Sequence, residues 1–463
     1  MSERSNAYFN RFVNKTVCFI GAGVSHYDCI VKFVQKGIDV TVRDRANLEK
    51  FGPELYEQLT AMGVKVILGE NYLQDITEDV IFRTPGMKYY IPQLQAARAA
   101  GKVVTSEMES FFESCSCRII GITGSDGKTT SSTLIAKFLE KQGYTVHLGG
   151  NIGRALLPLV EDISPDDFAV VELSSFQLIS MRQSPDIALI TNVTPNHLDM
   201  HKDMDEYVDA KRNLYAHQGA FSKTVLGAHN EITRSFGEHV RGDLYWFDRH
   251  DEVTVGAFLD KEGYLCMRTH NETVKLFHES EIRIPGKHNV ENYLGAIAAV
   301  WGLVDPENMA EVARTFGGVE HRIEFVHELN GVKFYNDSIA SSPTRSIAGL
   351  RSFGRRIIMI AGGYDKKIPY EPLGPVVAEF VKVLVLMGAT GPKIEKAVVE
   401  SENFDPAATA IIYADSMEDA VAKAYAAAKE GDVVSLSPAS ASFDLYKNFE
   451  YRGRHYKDVV NAL

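Results

Sequence analysis

Residues 119–130 read IIGITGSDGKTT, in which an apolar run leads into a glycine-rich turn and then into Lys128-Thr129-Thr130. The run from residue 118 to residue 122 predicts a buried parallel strand. The residues after the turn predict an amphipathic helix. Strand, loop and helix N-terminus in this order are typical of a triphosphate site, because backbone N–H groups of the loop and of the helix start point at phosphate oxygens.

The side chains of this loop favour ATP. Lys128 adds a full positive charge, and the hydroxyl of Thr129 can hold Mg²⁺ on the β- and γ-phosphates. The strict phosphate-loop pattern requires glycine at position 122, where this chain has Ile122, so an ordinary strand-to-helix turn is the alternative. The residues predicted to bind ATP are Gly124, Ser125, Asp126, Gly127, Lys128, Thr129 and Thr130.

Length and composition indicate a cytoplasmic enzyme. A chain of 463 residues corresponds to about three domains. The formal net charge of -12 argues against a nucleic-acid partner, since phosphate backbones require a basic face. The N-terminus lacks the apolar core of a signal peptide, and no apolar run approaches the length of a membrane span. The five cysteines are few for this length and indicate reduced thiols, and we expect a monomer without a membrane partner.

The first domain is predicted to span residues 1–107. A buried strand leads into Gly21-Ala22-Gly23, and a second strand ends at Asp44, an arrangement similar to a dinucleotide-binding unit whose acidic residue holds a ribose. His26 occupies the place of the third glycine of that motif. A turn that binds nothing, a nicotinamide site and a nucleoside-diphosphate site without nicotinamide therefore all stay open.

The central domain is predicted to span residues 108–318. Glu172 ends a predicted strand, where a carboxylate beside a phosphate loop provides a second protein ligand for Mg²⁺. His197 follows the next predicted strand, although a lone histidine is usually structural. Lys211 lies on a helix predicted over 204–215, and from the sequence alone we expect a solvated lysine.

Two asparagines mark the start of a later helix in the central domain. Asn289 and Asn292 are three positions apart and share a helix face, which suits paired amide contacts to a ligand. A helix N-cap is the alternative use of Asn289. The C-terminal domain, predicted to span residues 319–463, has three apolar strands at 356–360, 383–387 and 433–436 that alternate with helices, which favours another α/β domain with a parallel core.

Four motifs together resemble the ATP-dependent Mur ligases of peptidoglycan synthesis. They are residues 124–130 (GSDGKTT), 172–177 (ELSSFQ), 192–199 (NVTPNHLD) and 286–289 (GKHN). The phosphate loop of that family has a shortened glycine pattern, which accounts for Ile122. The resemblance implies an α/β fold of three domains: an N-terminal Rossmann-like domain that binds a UDP substrate, a central P-loop ATPase-like domain with a mostly parallel sheet, and a C-terminal Rossmann-like domain.

The resemblance also implies roles for single residues. Thr129 and Glu172 would hold one Mg²⁺, and His197 and Lys211 a second, with Mn²⁺ as an alternative metal. Lys211 matches the lysine that the family carbamylates with CO₂. The further residues implied to bind ATP are Asn289, Asn292, Arg322 and Asp337. The residues implied to bind the UDP substrate are Gly21, Gly23, Val24, Ser25, Asp44, Arg45, Thr84, Gly86, Asn151 and His197.

The C-terminal domain resembles the branch of the family that adds D-glutamate to UDP-N-acetylmuramoyl-L-alanine. The stretches that carry this likeness are 362–367 (GGYDKK), 437–444 (SPASASFD) and 447–453 (KNFEYRG). The implied D-glutamate pocket consists of Ser341, Lys366, Ser442 and Phe449. Ile339 stands where some members carry lysine, so a phosphate contact made by that lysine is not expected here.

The implied reaction proceeds through an acyl phosphate. The substrate carboxylate attacks the γ-phosphate of ATP, and the amine of the amino acid then displaces phosphate, with Lys128, His197 and Lys211 as catalytic residues. Three rival functions remain. A folylpolyglutamate-synthase-like ligase would not need the first domain, a nicotinamide oxidoreductase would rest on Gly21-Ala22-Gly23 alone, and a non-catalytic ATP-binding protein would have no need of the metal ligands. A Mur ligase with a different amino-acid substrate is the nearest alternative.

Overall fold

The structure, a computed structural model, describes residues 3–23, 25–195 and 201–463. Val24 and His197, both predicted site residues, lie outside the described residues. The chain divides into two compact units, Met1–Glu279 with Glu291–Val312, and Ser280–Val290 with Ala313–Leu463. The described residues form two sheets in the first unit and one in the second.

The first sheet is wholly parallel, with strand order β3-β2-β1-β4-β5. Its strands are β1 Thr16–Ile20, β2 Asp39–Asp44, β3 Lys65–Leu68, β4 Val80–Phe82 and β5 Val103–Thr105. The helices of this region are α1 Glu3–Asn10, α2 Tyr27–Gln35, α3 Leu48–Phe51, α4 Pro53–Ala61, α5 Pro92–Ala99 and α6 Glu107–Ser114. Strand β1 reads TVCFI and is almost fully buried, because a parallel sheet covered on both faces needs continuous apolar strands.

The second sheet is mixed, with strand order β14-β13-β12-β11-β10-β9-β6-β8-β7. Its strands are β6 Arg118–Thr123, β7 Val146–Gly150, β8 Phe168–Glu172, β9 Ile187–Ile190, β10 Lys223–Gly227, β11 Asp243–Asp248, β12 Gly256–Leu259, β13 Tyr264–Arg268 and β14 Thr273–His278. Neighbours pair in parallel from β7 to β12, and β13 and β14 add an antiparallel edge. The sheet is therefore mostly parallel, as expected.

Six helices of the described residues accompany the second sheet in the sequence, four of them between its parallel strands and two after its last strand. They are α7 Lys128–Gln142, α8 Ser175–Leu178, α9 Met204–Arg212, α10 Glu231–Phe236, α11 Lys287–Val300 and α12 Pro306–Thr315, with 3₁₀ turns at Leu157–Leu159, Gly237–His239 and Glu279–Glu281. Helix α9 ends three residues before the predicted end at residue 215. In the described part of the chain, every helix lacks the combination of length and apolar character that crossing a lipid bilayer requires.

The third sheet has strand order β15-β16-β20-β17-β18-β19. Its strands are β15 Glu324–Leu329, β16 Val332–Asn336, β17 Ile357–Ala361, β18 Val381–Leu386, β19 Ala410–Tyr413 and β20 Val433–Leu436. The accompanying helices are α13 Pro343–Ser352, α14 Gly374–Phe380, α15 Gly391–Val399, α16 Met417–Ala426 and α17 Phe449–Asn461, with a 3₁₀ turn at Glu371–Leu373. All pairs are parallel except β15 with β16. The α/β class with parallel-rich sheets is confirmed, while the boundaries at residues 107 and 318 stay predictions.

Candidate active site

The phosphate loop joins β6 to α7 at the carboxyl edge of the second sheet. Gly124 and Gly127 have φ angles of +156° and +80°. A Cβ at Gly124 would lie 1.8 Å from Oγ1 of Thr191, and a Cβ at Gly127 would lie 2.3 Å from Oδ1 of Asn292. Both positions therefore require glycine, because neighbouring side chains already occupy the space of a Cβ.

The segment after β9 fixes the shape of the phosphate loop. The N–H groups of Ser125 and Asp126 donate to the backbone oxygen and to Oδ1 of Asn192, at 2.8 and 3.0 Å. The hydroxyl of Thr191 donates to the carbonyl oxygen of Asp126 at 2.6 Å. The sequence motif that contains Asn192 thus has a local structural role, which is to hold the loop in place before any ligand arrives.

Lys128, the first residue of α7, lies back over the loop. Its Nζ donates to the carbonyl oxygens of Gly124 and Ser125, each at 3.0 Å. Carbonyl oxygens are weaker partners for an ammonium group than phosphate oxygens. The predicted phosphate-binding charge is therefore present at the loop.

Thr129, Glu172 and Asn151 form a hydrogen-bonded group beside the loop. The hydroxyl of Thr129 donates to Oε2 of Glu172 at 2.7 Å, and Nδ2 of Asn151 donates to Oε1 at 2.8 Å. Glu172 is 1% exposed and ends β8. Hydroxyl and carboxylate oxygens are the hard ligands that Mg²⁺ prefers, so this donor set fits the metal. Within the described residues, no group of three or more His, Cys, Asp or Glu side chains is arranged to hold a metal ion.

Lys211 is buried, which corrects the expectation of a solvated lysine. The residue is 2% exposed, and its Nζ donates to the carbonyl oxygen of Gly124 at 2.8 Å and lies 4.7 Å from the ring centroid of Tyr207. Burial, followed by the charge of Lys128, lowers the pKa of Lys211 to about 7. A large share of this amine is therefore neutral near neutral pH.

The two asparagines of α11 have different surroundings. The helix begins at Lys287, so Asn289 lies within its first turn and the N-cap alternative is wrong. Nδ2 of Asn289 donates to the carbonyl oxygen of Pro285 at 2.6 Å. Oδ1 of Asn292 accepts a hydrogen bond from the hydroxyl of Ser131 at 3.4 Å and lies against Gly127. Asn292 is thus part of the phosphate-loop region.

A cavity of about 340 Å³ lies where strands of the first and second sheets end. Four of the residues implied to bind the UDP substrate line it, namely Ser25, Thr84, Gly86 and Asn151. Ligands of open parallel sheets sit at the carboxyl ends of strands. The structure therefore brings together residues that the sequence places on separate loops. Asp44 and Arg45, at the end of β2, are not among the described lining residues.

His26 explains how the first glycine turn tolerates a missing glycine. The side chain is buried, its Nδ1 lies 3.0 Å from the carbonyl oxygen of Gly21, and its ring meets the edge of Phe19. Burial lowers the pKa of His26, which favours the neutral ring. Gly21 has a φ of +83°, and Gly23 is exposed in the turn. The contact of His26 with Gly21 stabilises a turn in which a dinucleotide site would have a third glycine.

Arg83 is a buried residue that sequence reasoning missed. Its Nη2 donates to the carbonyl oxygen of Phe176 at 2.7 Å and to the hydroxyl of Ser180 at 2.9 Å. The residue follows β4, next to Thr84, so it fastens the first sheet to the segment after Glu172. The sequence around Arg83 does not indicate these contacts, because Phe176 and Ser180 lie more than 90 positions further along the chain.

In the second unit, Asp337 lies in a closed environment at the end of β16. Burial raises its pKa to about 7, although the hydroxyl of Ser437 donates to Oδ2 at 3.1 Å and the N–H of Ile323 donates to Oδ1 at 3.3 Å. Arg322 is exposed, and its charge lowers the pKa of Asp337 as a smaller contribution. Ile339 is half-buried, with its N–H bonded to the carbonyl oxygen of His321.

Three of the four residues implied to bind the amino acid lie on loops of the second unit, and the fourth is the first residue of a helix. Ser341 is half-buried, Ser442 is buried and Phe449 begins α17. The Nζ of Lys366 is exposed and lies 5.6 Å from the ring centroid of Phe443, the residue after Ser442. Lys366 and the loop of Ser442 are thus neighbours.

Arg452 connects these loops and was given no role by the sequence. Its Nη2 and Nε donate to the carbonyl and hydroxyl oxygens of Ser338 at 2.8 and 3.0 Å. Its Nη1 donates to the carbonyl oxygens of Ser440 and Ala441. Arg452 is 3% exposed, and its hydrogen bonds join α17 to the loop of Ser338 and to the loop of Ser440.

Two family models match this chain. The family model of the Mur ligase middle domain matches residues 122–300, and that of the Mur ligase glutamate ligase domain matches residues 321–440. Together the two matches cover more than half of the chain. The chain belongs to the Mur ligase family. The resemblance drawn from the motifs, and the assignment as a ligase, are confirmed.

Relatives of this Mur ligase match it over the full length. It is 51% identical to the UDP-N-acetylmuramoylalanine–D-glutamate ligase of Acetivibrio thermocellus, over 100% of both chains. It is 45% identical to the enzyme of the same name from Ruminiclostridium cellulolyticum, again over 100% of both chains. The structure of UDP-N-acetylmuramate–alanine ligase from Thermotoga maritima has a TM-score of 0.57 at 16% identity, covering 97% of this chain and 100% of its own. That likeness shows a shared fold.

Proposed function

We propose that this Mur ligase joins D-glutamate to UDP-N-acetylmuramoyl-L-alanine at the expense of ATP, as a monomer in the bacterial cytoplasm, in the synthesis of peptidoglycan precursors. The observation that carries this proposal is the 51% identity over 100% of both chains to an enzyme named for that reaction. The match covers the whole chain, and so includes the loops proposed to bind the amino acid as well as the phosphate loop. It therefore supports the substrate as well as the class of chemistry.

The phosphate-loop geometry supports ATP with Mg²⁺. Lys128 would pair with the transferred phosphate, while Thr129 and Glu172 would hold one metal ion through hard oxygen atoms 2.7 Å apart. Bound Mg²⁺ would neutralise charge on the β- and γ-phosphates. Asn292, against Gly127, would bind ATP from α11. Asn289, Arg322 and Asp337 are proposed as further ATP residues.

Lys211 would carry a carbamate that helps to hold a second metal ion, together with His197. The neutral amine attacks the carbon of CO₂, an N–C bond forms while the electron pair of one C–O π bond moves onto oxygen, and the nitrogen loses one proton to solvent. The product is a carbamate, whose anionic oxygen atoms are ligands for a metal ion. The burial of Lys211, with a pKa of about 7, supports this chemistry, because an amine must be neutral to act as a nucleophile.

The substrate residues would divide between the two units. The UDP moiety would contact Ser25, Thr84, Gly86 and Asn151, which share one cavity, with Gly21, Gly23, Val24, Asp44, Arg45 and His197 as further proposed contacts. D-glutamate would contact Ser341, Lys366, Ser442 and Phe449. A dicarboxylate requires a cation and neutral donors, which Lys366 and the two serines provide.

The proposed reaction has two steps. The alanyl carboxylate attacks the γ-phosphorus of ATP, and the bond to the bridging oxygen breaks to leave ADP. The amine of D-glutamate then attacks the acyl carbon, and phosphate leaves as the amide forms and a proton is lost. The positive charge of Lys128 stabilises the first step, where positioning and electrostatics provide most of the rate enhancement.

An amino-acid panel tests the proposal. The protein is mixed with ATP, Mg²⁺ and UDP-N-acetylmuramoyl-L-alanine, and ADP release is followed with D-glutamate, L-glutamate, L-alanine, L-lysine or meso-diaminopimelate. We expect release with D-glutamate alone, together with a product whose mass equals that of the two substrates joined less one water. Release with another amino acid in its place would reassign the branch, and no release with any of them would contradict the proposal.

A further inference from the structure

The cavity that holds Ser25, Thr84 and Asn151 has two charged side chains in its lining, Glu107 and Arg154. The carboxylate of Glu107 is 6% exposed, and its Oε1 accepts the N–H groups of Leu156 and Leu157, both at 2.9 Å. This carboxylate is therefore used to anchor the loop of residues 150–157. Arg154 is the cation among the described lining residues.

The backbone of Arg154 is held in place from two sides. It pairs with Gly149 in an isolated parallel bridge, and a Cβ at Gly149 would lie 2.8 Å from the carbonyl oxygen of Arg154. Two residues further on, Leu156 is fully buried and bonded to Glu107. A loop packed this closely presents the Arg154 side chain from a fixed point on the cavity wall.

The Arg154 side chain is available to a ligand. Residue 154 is exposed, and no hydrogen bond or ion pair joins its guanidinium group to another residue of the described ranges. Arg83, which precedes the lining residue Thr84, is not among the described lining residues, and its Nη2 is bonded to Phe176 and Ser180. Arg45 does not line the cavity.

We propose that Arg154 binds the diphosphate of the UDP-linked substrate and gives the cavity its preference for nucleoside diphosphates over uncharged nucleosides. The inference rests on the proposed function and adds a residue to the substrate site. A diphosphate brings two negative charges, while Ser25, Thr84 and Asn151 offer neutral donors only. A guanidinium group provides charge and a planar pair of donors that match phosphate oxygens.

The test compares Arg154→Gln and Arg154→Lys with Arg118→Ala, a control at the exposed amino end of β6. For Arg154→Gln we expect the KM for the UDP-linked substrate and the inhibition constant of UDP to rise about tenfold, since charge-assisted hydrogen bonds are lost. The KM values for ATP and D-glutamate, and kcat, should change by less than about twofold. For Arg154→Lys, the inhibition constant of UDP should lie between those of the native protein and of Arg154→Gln. Added salt should weaken UDP binding less in Arg154→Gln than in the native protein.

Two outcomes would overturn the inference. The first is an unchanged inhibition constant for UDP in Arg154→Gln. The second is an equal rise in the inhibition constants of UDP and uridine, which would indicate that Arg154 acts on the nucleoside or on the loop. Failure of the proposed function is distinguishable, because direct titration of the native protein and of Arg154→Gln with UDP measures the contact even when no ligase activity is detected.

Discussion

The amine of Lys211 donates a hydrogen bond to the carbonyl oxygen of Gly124 at 2.8 Å, so a buried lysine of α9 is joined to the first residue of the phosphate loop. Lys128 donates to the same carbonyl oxygen at 3.0 Å. Two amines on one oxygen repel each other when both are charged. Burial first, and this repulsion second, lower the pKa of Lys211 and so favour the neutral amine, which is the form that reacts with CO₂.

Replacing Lys211 tests its proposed role. Lys211→Ala should lower ligase activity by about 100-fold or more, since a proposed metal ligand is lost, and short-chain carboxylates should restore part of it. Labelled bicarbonate should give a carbamate ¹³C signal in the native protein and in Lys137→Ala, an exposed lysine of α7, but not in Lys211→Ala. Full activity of Lys211→Ala would contradict the carbamate.

Glu172 is expected to set the Mg²⁺ requirement. Glu172→Gln keeps an acceptor for the Thr129 hydroxyl but loses the charge, so the Mg²⁺ concentration for half-maximal activity should rise about tenfold. Glu140→Gln, an exposed carboxylate of α7 paired with Lys137, is the matched control and should leave the requirement unchanged. The rate of ADP release, measured against Mg²⁺ concentration, gives the requirement of each variant. An unaltered requirement in Glu172→Gln would remove Glu172 from the metal site.

Gly124 should tolerate no side chain. Gly124→Ala places a Cβ 1.8 Å from Oγ1 of Thr191, so we expect the loop to shift, activity to fall to background and the free energy of unfolding to drop by about 2 kcal/mol. Gly219→Ala is the control, because no atom lies within 4 Å of its added Cβ. Denaturant unfolding and ADP release measure both effects. Normal ATP turnover by Gly124→Ala would show that the loop does not need this tight approach.

Glu107 should make stability fall as pH rises. Burial raises its folded pKa to about 7, above the unfolded value of about 4.5, so between these values the unfolded chain has lost a proton that the folded chain keeps. The free energy of unfolding therefore decreases across that window, by about 3 kcal/mol in total for this group.

Glu107→Gln keeps the acceptor for Leu156 and Leu157 and removes the titration. Its stability should match that of the native protein near pH 4.5 and exceed it at pH 8. Urea unfolding of the full chain at both pH values measures the difference. Equal stabilities at pH 8 would show that Glu107 titrates normally.

The sequence alone predicted much of this architecture. The strand at 118–122, the phosphate loop and its helix follow from local patterns, because apolar runs and glycine–lysine turns report the structure of their own segment. The mostly parallel central sheet was implied by the family resemblance. The four motifs taken together also indicated the Mur ligase family, which the family models and the relatives confirm. The residue roles within the site remain proposals.

Other features depended on tertiary contacts. Lys211 reads as a surface lysine because its own helix carries many charges, and only the packing of α9 against the phosphate loop buries it. The roles of Arg83 and Arg452 had no local signal, since their partners lie far away in the sequence. Arg154 had none either, because the cavity that it lines is formed by segments distant from one another in the sequence. Local patterns determine which elements form, whereas the burial and charge of a single side chain depend on which distant segments pack around it.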